Sequence, residues 1–181
     1  MAQNRRIVNR LMGFAALACL LVTLFSGCTQ WTEEQRKRQS LPDFAFEAWD
    51  GKAFTRDMLP KDKPITIFYY DPDCEHCKMT MTSVVDRIDK FGDNYLVIFS
   101  SSDRQQLIAD LIRRGMVNRP GVQIVICTPQ DFLDTFGTTS TPTILWYGAD
   151  WDLKRANKGR VNREGIDKGL AAARGEEVGA D

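Results

Sequence analysis

The stretch that decides the fold is residues 65–77, ITIFYYDPDCEHC. Its first six residues, 65–70, are β-branched or aromatic with almost no polar alternation, which is typical of a strand buried on both faces of a sheet. Residues 71–73, Asp-Pro-Asp, end this strand, and the second Asp can cap a helix that follows. The C-x-x-C pair Cys74 and Cys77 therefore lies where a buried strand gives way to a helix.

Strand and helix patterns alternate on either side of this stretch. Apolar residues at helical spacing run from Cys77 to Phe91 and predict one helix that ends at Gly92. Because the last two strands are joined by a short turn, that pair must be antiparallel. The pattern predicts an α/β fold with a central mixed β-sheet flanked by helices. Beyond 65–70, we expect buried strands at 95–99, 122–127 and 143–147, a polar strand near 152–157, and helices around 107–112, 132–136 and 162–173.

The amino terminus has the features of an export signal. Residues 1–10 contain three Arg and no acidic residue, and residues 11–25 are almost wholly apolar. A basic start followed by a short apolar run indicates a secretory signal, and the run is shorter than the about 20 residues of a membrane span. The Ser26-Gly27-Cys28 sequence resembles the lipobox of bacterial lipoproteins, which implies that Cys28 is lipidated. The alternative is an ordinary signal peptide in which Cys28 is incidental.

The length and charge of the chain limit its number of domains and its possible partners. A chain of 181 residues is enough for about one domain, and 24 basic residues against 24 acidic ones argue against a nucleic-acid partner. We expect no cofactor, because the sequence has no Gly-rich phosphate loop and no dinucleotide fingerprint. The predicted organisation is a signal peptide at 1–27, the lipidated Cys and a polar tether at 28–40, one domain at 41–173, and a polar tail at 174–181.

The C-x-x-C pair carries the predicted chemistry. Cys74 lies at the start of a helix, where free N–H groups and the helix dipole favour a nucleophilic thiolate. Cys77 is within disulfide reach and shares the apolar stripe of its helix, so we expect it to be the more buried, resolving thiol. A protonated His76 would add positive charge beside Cys74, whereas Glu75 and the neighbouring Asp residues oppose it. The expected redox group is therefore a Cys74–Cys77 disulfide.

Two other interpretations of this pair stay open. Two Cys and the single His of the chain resemble part of a zinc or copper site, but a closed site needs four ligands. A purely structural disulfide is disfavoured, because a three-residue step closes almost no loop. Cys127, at the end of a predicted strand, is expected to be a buried free thiol, with a resolving or regulatory role as the alternative.

A second motif, Ser140-Thr141-Pro142-Thr143, precedes a buried strand. Together with the C-x-x-C it resembles the thioredoxin superfamily, and most closely its TlpA/ResA-like membrane-anchored branch. That branch has an N-terminal β-hairpin and an inserted strand-helix unit, which residues 41–52 and 122–136 resemble. The resemblance implies that Pro142 is cis and faces the C-x-x-C, and that Thr141 and Glu75 take part in substrate binding.

The sequence also departs from the family. Asp73 stands where the family usually has Trp, and Phe68 stands where many thioredoxins carry a buried acid. Asp103 is a candidate for the missing proton acceptor, with a helix cap as the alternative. The resemblance implies a lipid-anchored thiol–disulfide oxidoreductase facing the periplasm. It would act as a reductase on extracytoplasmic protein disulfides and take electrons from a membrane thiol-reducing protein. The alternatives are a peroxiredoxin-like peroxidase and a copper-handling binding module.

Overall fold

The structure is a computed structural model that describes residues 40–176. The expected signal peptide, Cys28 and nearly all of the tether lie outside these residues, as does the end of the tail. Within 40–176, no helix is long and apolar enough to cross a membrane. The strands are β1 (Ala45–Ala48), β2 (Ala53–Thr55), β3 (Ile65–Tyr69), β4 (Tyr95–Ser100), β5 (Val122–Ile126), β6 (Thr143–Tyr147) and β7 (Leu153–Lys158). The helices are α1 (Glu75–Val85), α2 (Ile88–Phe91), α3 (Arg104–Arg113), α4 (Pro129–Phe136) and α5 (Arg163–Arg174).

The seven strands form one mixed sheet in the order β2-β1-β5-β4-β3-β6-β7. β3, β4 and β5 are mutually parallel, whereas β6 runs antiparallel to β3 and β7 antiparallel to β6. The parallel strands bring their carboxyl ends to the same edge of the sheet. The predicted mixed α/β architecture is confirmed, and the C-x-x-C directly follows the carboxyl end of β3.

The central strands β3, β4 and β6 are buried on both faces of the sheet: their successive side chains point to opposite sides, and both sides are covered. On one face, Phe68 and Ile98 pack with the buried residues of α1 and α5. On the other face, Ile67 and Phe99 pack with the N-terminal hairpin and α4. All five residues of β3 are buried, as predicted for 65–70.

The N-terminal hairpin β1–β2 turns at Gly51, whose φ of +86° favours glycine. β1 pairs with β5 at the far side of the sheet. The inserted strand β5 thereby joins the hairpin to the central strands, a pairing that the sequence analysis did not predict. Ser40 forms a bridge with Asp152.

The prediction of a single helix between Cys77 and Phe91 is wrong, because the structure has two helices there. The segment is divided into α1 and α2, since Arg87 leaves helical geometry with φ of −115° and ψ of 6°. Arg87 Nε donates to both carboxylate oxygens of Asp167 at 3.1 Å, and Arg163 Nε donates to Asp86 at 2.6 Å. These contacts tie the break to α5, and apolar periodicity carries no information about them.

Candidate active site

Cys74 is the N-cap of α1, one residue before the first helical turn. Its sulfur accepts a hydrogen bond from the Cys77 backbone N–H at 3.3 Å. Its thiol also lies 3.9 Å from the carbonyl oxygen of Thr141, to which it donates. Cys74 is a partly exposed residue, and its sulfur contacts both the start of α1 and the loop before β6.

Cys77 is fully buried, with 0% of its surface exposed. Burial, followed by the hydrogen bond with Cys74, raises the pKa of the Cys77 thiol to about 12. Hydrogen bonds from the Asp71 backbone and the Thr141 side chain lower the same pKa and offset part of that rise. The reduced pair is thus asymmetric, because Cys77 keeps its proton while Cys74 faces solvent.

The loop before β6 lies against the cysteines. The Thr141–Pro142 peptide bond is cis, as the resemblance implied. Pro142 is buried, and its carbonyl oxygen accepts from the Gly159 backbone N–H at 2.8 Å. Thr141 is half-buried; its carbonyl oxygen accepts from the Cys74 thiol, and its side chain lowers the pKa of Cys77. The structure therefore brings together Cys74, Cys77, Thr141 and Pro142.

The remaining predicted site residues lie further out. His76 and Glu75 are exposed on the first turn of α1, and Glu75 pairs with Lys78 at 3.7 Å. Asp103 is the N-cap of α3, where its carboxylate accepts from the Gln106 backbone N–H at 3.0 Å. In the structure Asp103 is therefore a helix cap, which the sequence analysis gave as the alternative to a proton acceptor.

Two polar contacts beside the cysteines were missed by the sequence analysis. The Asp71 carboxylate accepts from the Ser102 hydroxyl at 3.2 Å. The Tyr70 hydroxyl donates to the buried carboxylate of Asp110 at 2.6 Å. A signal for the first contact was available, since Asp71 and Ser102 follow neighbouring parallel strands whose carboxyl ends share an edge.

Cys127 is a buried free thiol, as predicted for its side chain. Its sulfur lies 3.7 Å from the Ser100 carbonyl oxygen, and burial raises the pKa of the thiol to about 12. It packs in the core on the face of the sheet opposite to Cys77. Over residues 40–176, no group of three or more His, Cys, Asp or Glu side chains is arranged to hold a metal ion.

A central sheet of this order, with a C-x-x-C after the parallel strand β3 and a cis-proline at the start of the neighbouring β6, defines the thioredoxin-like fold. No protein-family model and no curated protein matches the sequence. Solved structures do match it. A thiol:disulfide interchange protein of the thioredoxin family from Chlorobium tepidum is 17% identical, with a TM-score of 0.63, over 75% of this chain and 95% of that one.

Two proteins of Mycobacterium tuberculosis have similar structures. A secreted disulfide oxidoreductase is 13% identical, with a TM-score of 0.62, over 75% of this chain and 98% of that one. The peroxidoxin BcpB is 15% identical, with a TM-score of 0.63, over 77% of this chain and 96% of that one. At these identities the similarity establishes the fold, and the expectation of a thioredoxin-like fold is confirmed.

Proposed function

We propose that this protein is a thiol–disulfide oxidoreductase that exchanges protein disulfides through Cys74 and Cys77. The observation that carries the proposal is the asymmetry of the pair. Cys74 is partly exposed at a helix N-cap, while Cys77 is fully buried. The similar structures from Chlorobium tepidum and Mycobacterium tuberculosis, described as a thiol:disulfide interchange protein and a disulfide oxidoreductase, support the same chemistry.

The reaction begins when the Cys74 thiolate attacks one sulfur of a substrate disulfide. A mixed disulfide forms, and the other substrate sulfur leaves as a thiolate. Cys77 then loses its proton to solvent, and its thiolate attacks the Cys74 sulfur. The bond from Cys74 to the substrate breaks, the Cys74–Cys77 disulfide forms, and the second substrate sulfur leaves as a thiolate. The substrate gains two electrons, and the protein loses the same two.

The residues around the pair have supporting roles in this proposal. Thr141 presents its main chain to the docked substrate beside Cys74, and Pro142 shapes the groove. Glu75 is exposed at the rim and contacts substrate, and His76 adds positive charge near Cys74 when protonated. No cofactor besides the Cys74–Cys77 disulfide takes part.

The proposed setting is the periplasmic face of a bacterial membrane, with the lipid anchor at Cys28. In that compartment disulfides persist, and more than one acyl chain is needed for stable anchoring. The substrates are extracytoplasmic protein disulfides, and a membrane thiol-reducing protein returns the electrons. Nucleic acid has no part in this function.

The test is disulfide exchange by the reduced full-length chain. Cys74→Ser abolishes reduction of a peptide disulfide, and Cys77→Ser accumulates a mixed disulfide through Cys74 because the resolving thiol is gone. Cys127→Ser is the matched control, since that thiol is buried on the other face of the sheet, and it retains activity. Full activity in Cys74→Ser would refute the proposal.

A peroxiredoxin-like peroxidase is the second candidate, supported by the similarity to a peroxidoxin. Peroxiredoxins usually carry a Thr three residues before the reactive Cys, and Asp71 stands there in this chain. Hydrogen peroxide consumption by the reduced protein distinguishes the two candidates. Turnover of peroxide without reduction of a peptide disulfide would replace the first proposal with the second.

A further inference from the structure

Asp71 contacts both cysteines through its main chain. Its carbonyl oxygen accepts from the Cys74 backbone N–H at 3.2 Å. Its backbone also lowers the pKa of the Cys77 thiol, and so favours the thiolate of that residue against the effect of burial. The position of the Asp71 main chain therefore bears on both reacting residues.

The Asp71 carboxylate holds that main chain in place. Its Oδ1 accepts from the Asp73 backbone N–H at 2.8 Å and from the Ser102 hydroxyl at 3.2 Å. Ser102 follows β4, and its backbone N–H donates to the Ser100 hydroxyl at 3.2 Å. The carboxylate thus closes the turn before Cys74 and ties it to the carboxyl end of the neighbouring strand.

We infer that Asp71 is a positioning residue for the exchange reaction: its carboxylate fixes the turn that presents main-chain groups to Cys74 and Cys77. The inference rests on the proposed function and concerns its second step. In that step the Cys77 thiolate attacks the Cys74 sulfur, the Cys74–substrate bond breaks, and the substrate leaves as a thiolate. The Asp71 N–H stabilises the attacking thiolate. An oxygen acceptor at residue 71 is what the turn requires, so an amide serves where a methyl group does not.

The experiment separates the two steps with dithiobis(nitrobenzoate) as the substrate disulfide. The reduced protein releases one coloured thiolate when Cys74 forms the mixed disulfide and a second when Cys77 resolves it. The variants are Asp71→Ala, Asp71→Asn and Ser102→Ala. All are made in the full chain with one common background, in which the other thiols are replaced: Cys19→Ser, Cys28→Ser and Cys127→Ser.

The matched control is Ser101→Ala. Ser101 belongs to the same loop as Ser102, but its hydroxyl bonds the Tyr69 hydroxyl at 2.9 Å and has no hydrogen bond with Asp71.

We expect Asp71→Ala to slow the second release by about tenfold, which corresponds to a small part of the free energy of the two hydrogen bonds to the carboxylate that it removes. Ser102→Ala removes one of the two and slows it by about threefold. Asp71→Asn and Ser101→Ala stay within about twofold of the parent. A variant that is only less stable, with its site still correctly positioned, would not slow the second release selectively.

The outcomes distinguish this inference from the proposed function. If the parent shows no second release, the proposed function fails. If the parent shows it and Asp71→Ala resolves equally fast, the positioning role is refuted. If Asp71→Asn is as slow as Asp71→Ala, the charge matters and not the acceptor, which also refutes it. Should Asp71→Ala fail to fold, an unchanged second phase in Ser102→Ala overturns the inference.

Discussion

Replacing Tyr70 by Phe removes one hydroxyl that donates to the buried carboxylate of Asp110, which also pairs with Arg113 and Arg114. That hydroxyl donates to Oδ2 of Asp110 at 2.6 Å, and Tyr70 is 0% exposed. Asp110 keeps its bonds from Arg114 Nε at 2.8 Å and Arg113 at 3.1 Å. A hydrogen bond to a charged acceptor contributes about 1.5–3 kcal/mol. We therefore expect Tyr70→Phe to lower the free energy of unfolding by that amount near neutral pH.

The loss of unfolding free energy in Tyr70→Phe depends on pH, and the contacts of Asp110 determine the sign of that dependence. Burial raises the pKa of Asp110, but hydrogen bonds from Tyr70 and Arg114 outweigh it and hold the pKa below the usual value of 3.8. A carboxyl group with a lowered pKa stabilises the fold above the unfolded-state value, and this contribution is lost as the pH falls through the folded-state pKa. Tyr70→Phe removes one of the groups that lower the pKa. The deficit of the variant is therefore greatest at neutral pH and shrinks in acid.

Urea unfolding followed by circular dichroism, near pH 7 and again near pH 3, measures both effects. Tyr147→Phe is the matched control, because Tyr147 is equally buried in the sheet and its hydroxyl has no hydrogen-bond partner among residues 40–176. We expect that control to change stability by less than about 0.5 kcal/mol. A Tyr70→Phe variant as stable as the control, or one whose deficit is the same in acid, would refute the reasoning.

Three further predictions concern packing, thiol reactivity and helix capping. Gly169→Ala places a Cβ 2.1 Å from Cε2 of the buried Trp146. Urea unfolding should show a loss of about 1–3 kcal/mol from overpacking, although alanine is the better helix former. Cys127 should resist iodoacetamide until denaturant is added, since burial raises its pKa to about 12; equal labelling of Cys74 and Cys127 by mass spectrometry would contradict this. Thr128→Ala removes the capping box of α4 and should cost about 0.5–2 kcal/mol in urea unfolding.

Much of the sheet could be predicted because its central strands are apolar without interruption. A run such as 65–70 has no polar face to place in water, so it must lie in the interior with neighbours on both sides. The pairing of β1 with β5 was not predicted, since neither strand carries a signal for its partner. The break between α1 and α2 could not be predicted, because it is associated with ion pairs to α5 that lie far away in sequence.

Some features of the candidate site could likewise be predicted from the sequence, and others could not. The burial of Cys77 followed from its place on the apolar stripe that it shares with Met81 and Val84. The contact between Asp71 and Ser102 did not follow from any local pattern, because 31 positions separate the two residues. It depends on β3 and β4 being parallel neighbours, which places the residues after each strand side by side.

The different environments of the two thiols follow from where the helix begins. An N-cap residue projects into the loop that precedes its helix, whereas a residue three positions later has completed most of a turn and faces the core. Cys74 therefore receives the Cys77 backbone N–H and remains accessible, while Cys77 is enclosed and its pKa is raised to about 12. Because only a thiolate attacks a disulfide, the proposed reaction begins at the accessible Cys74 and not at the buried Cys77. In the proposed second step Cys77 attacks the mixed disulfide as a thiolate, and the Asp71 backbone and the Thr141 side chain favour that thiolate because they lower the pKa of Cys77.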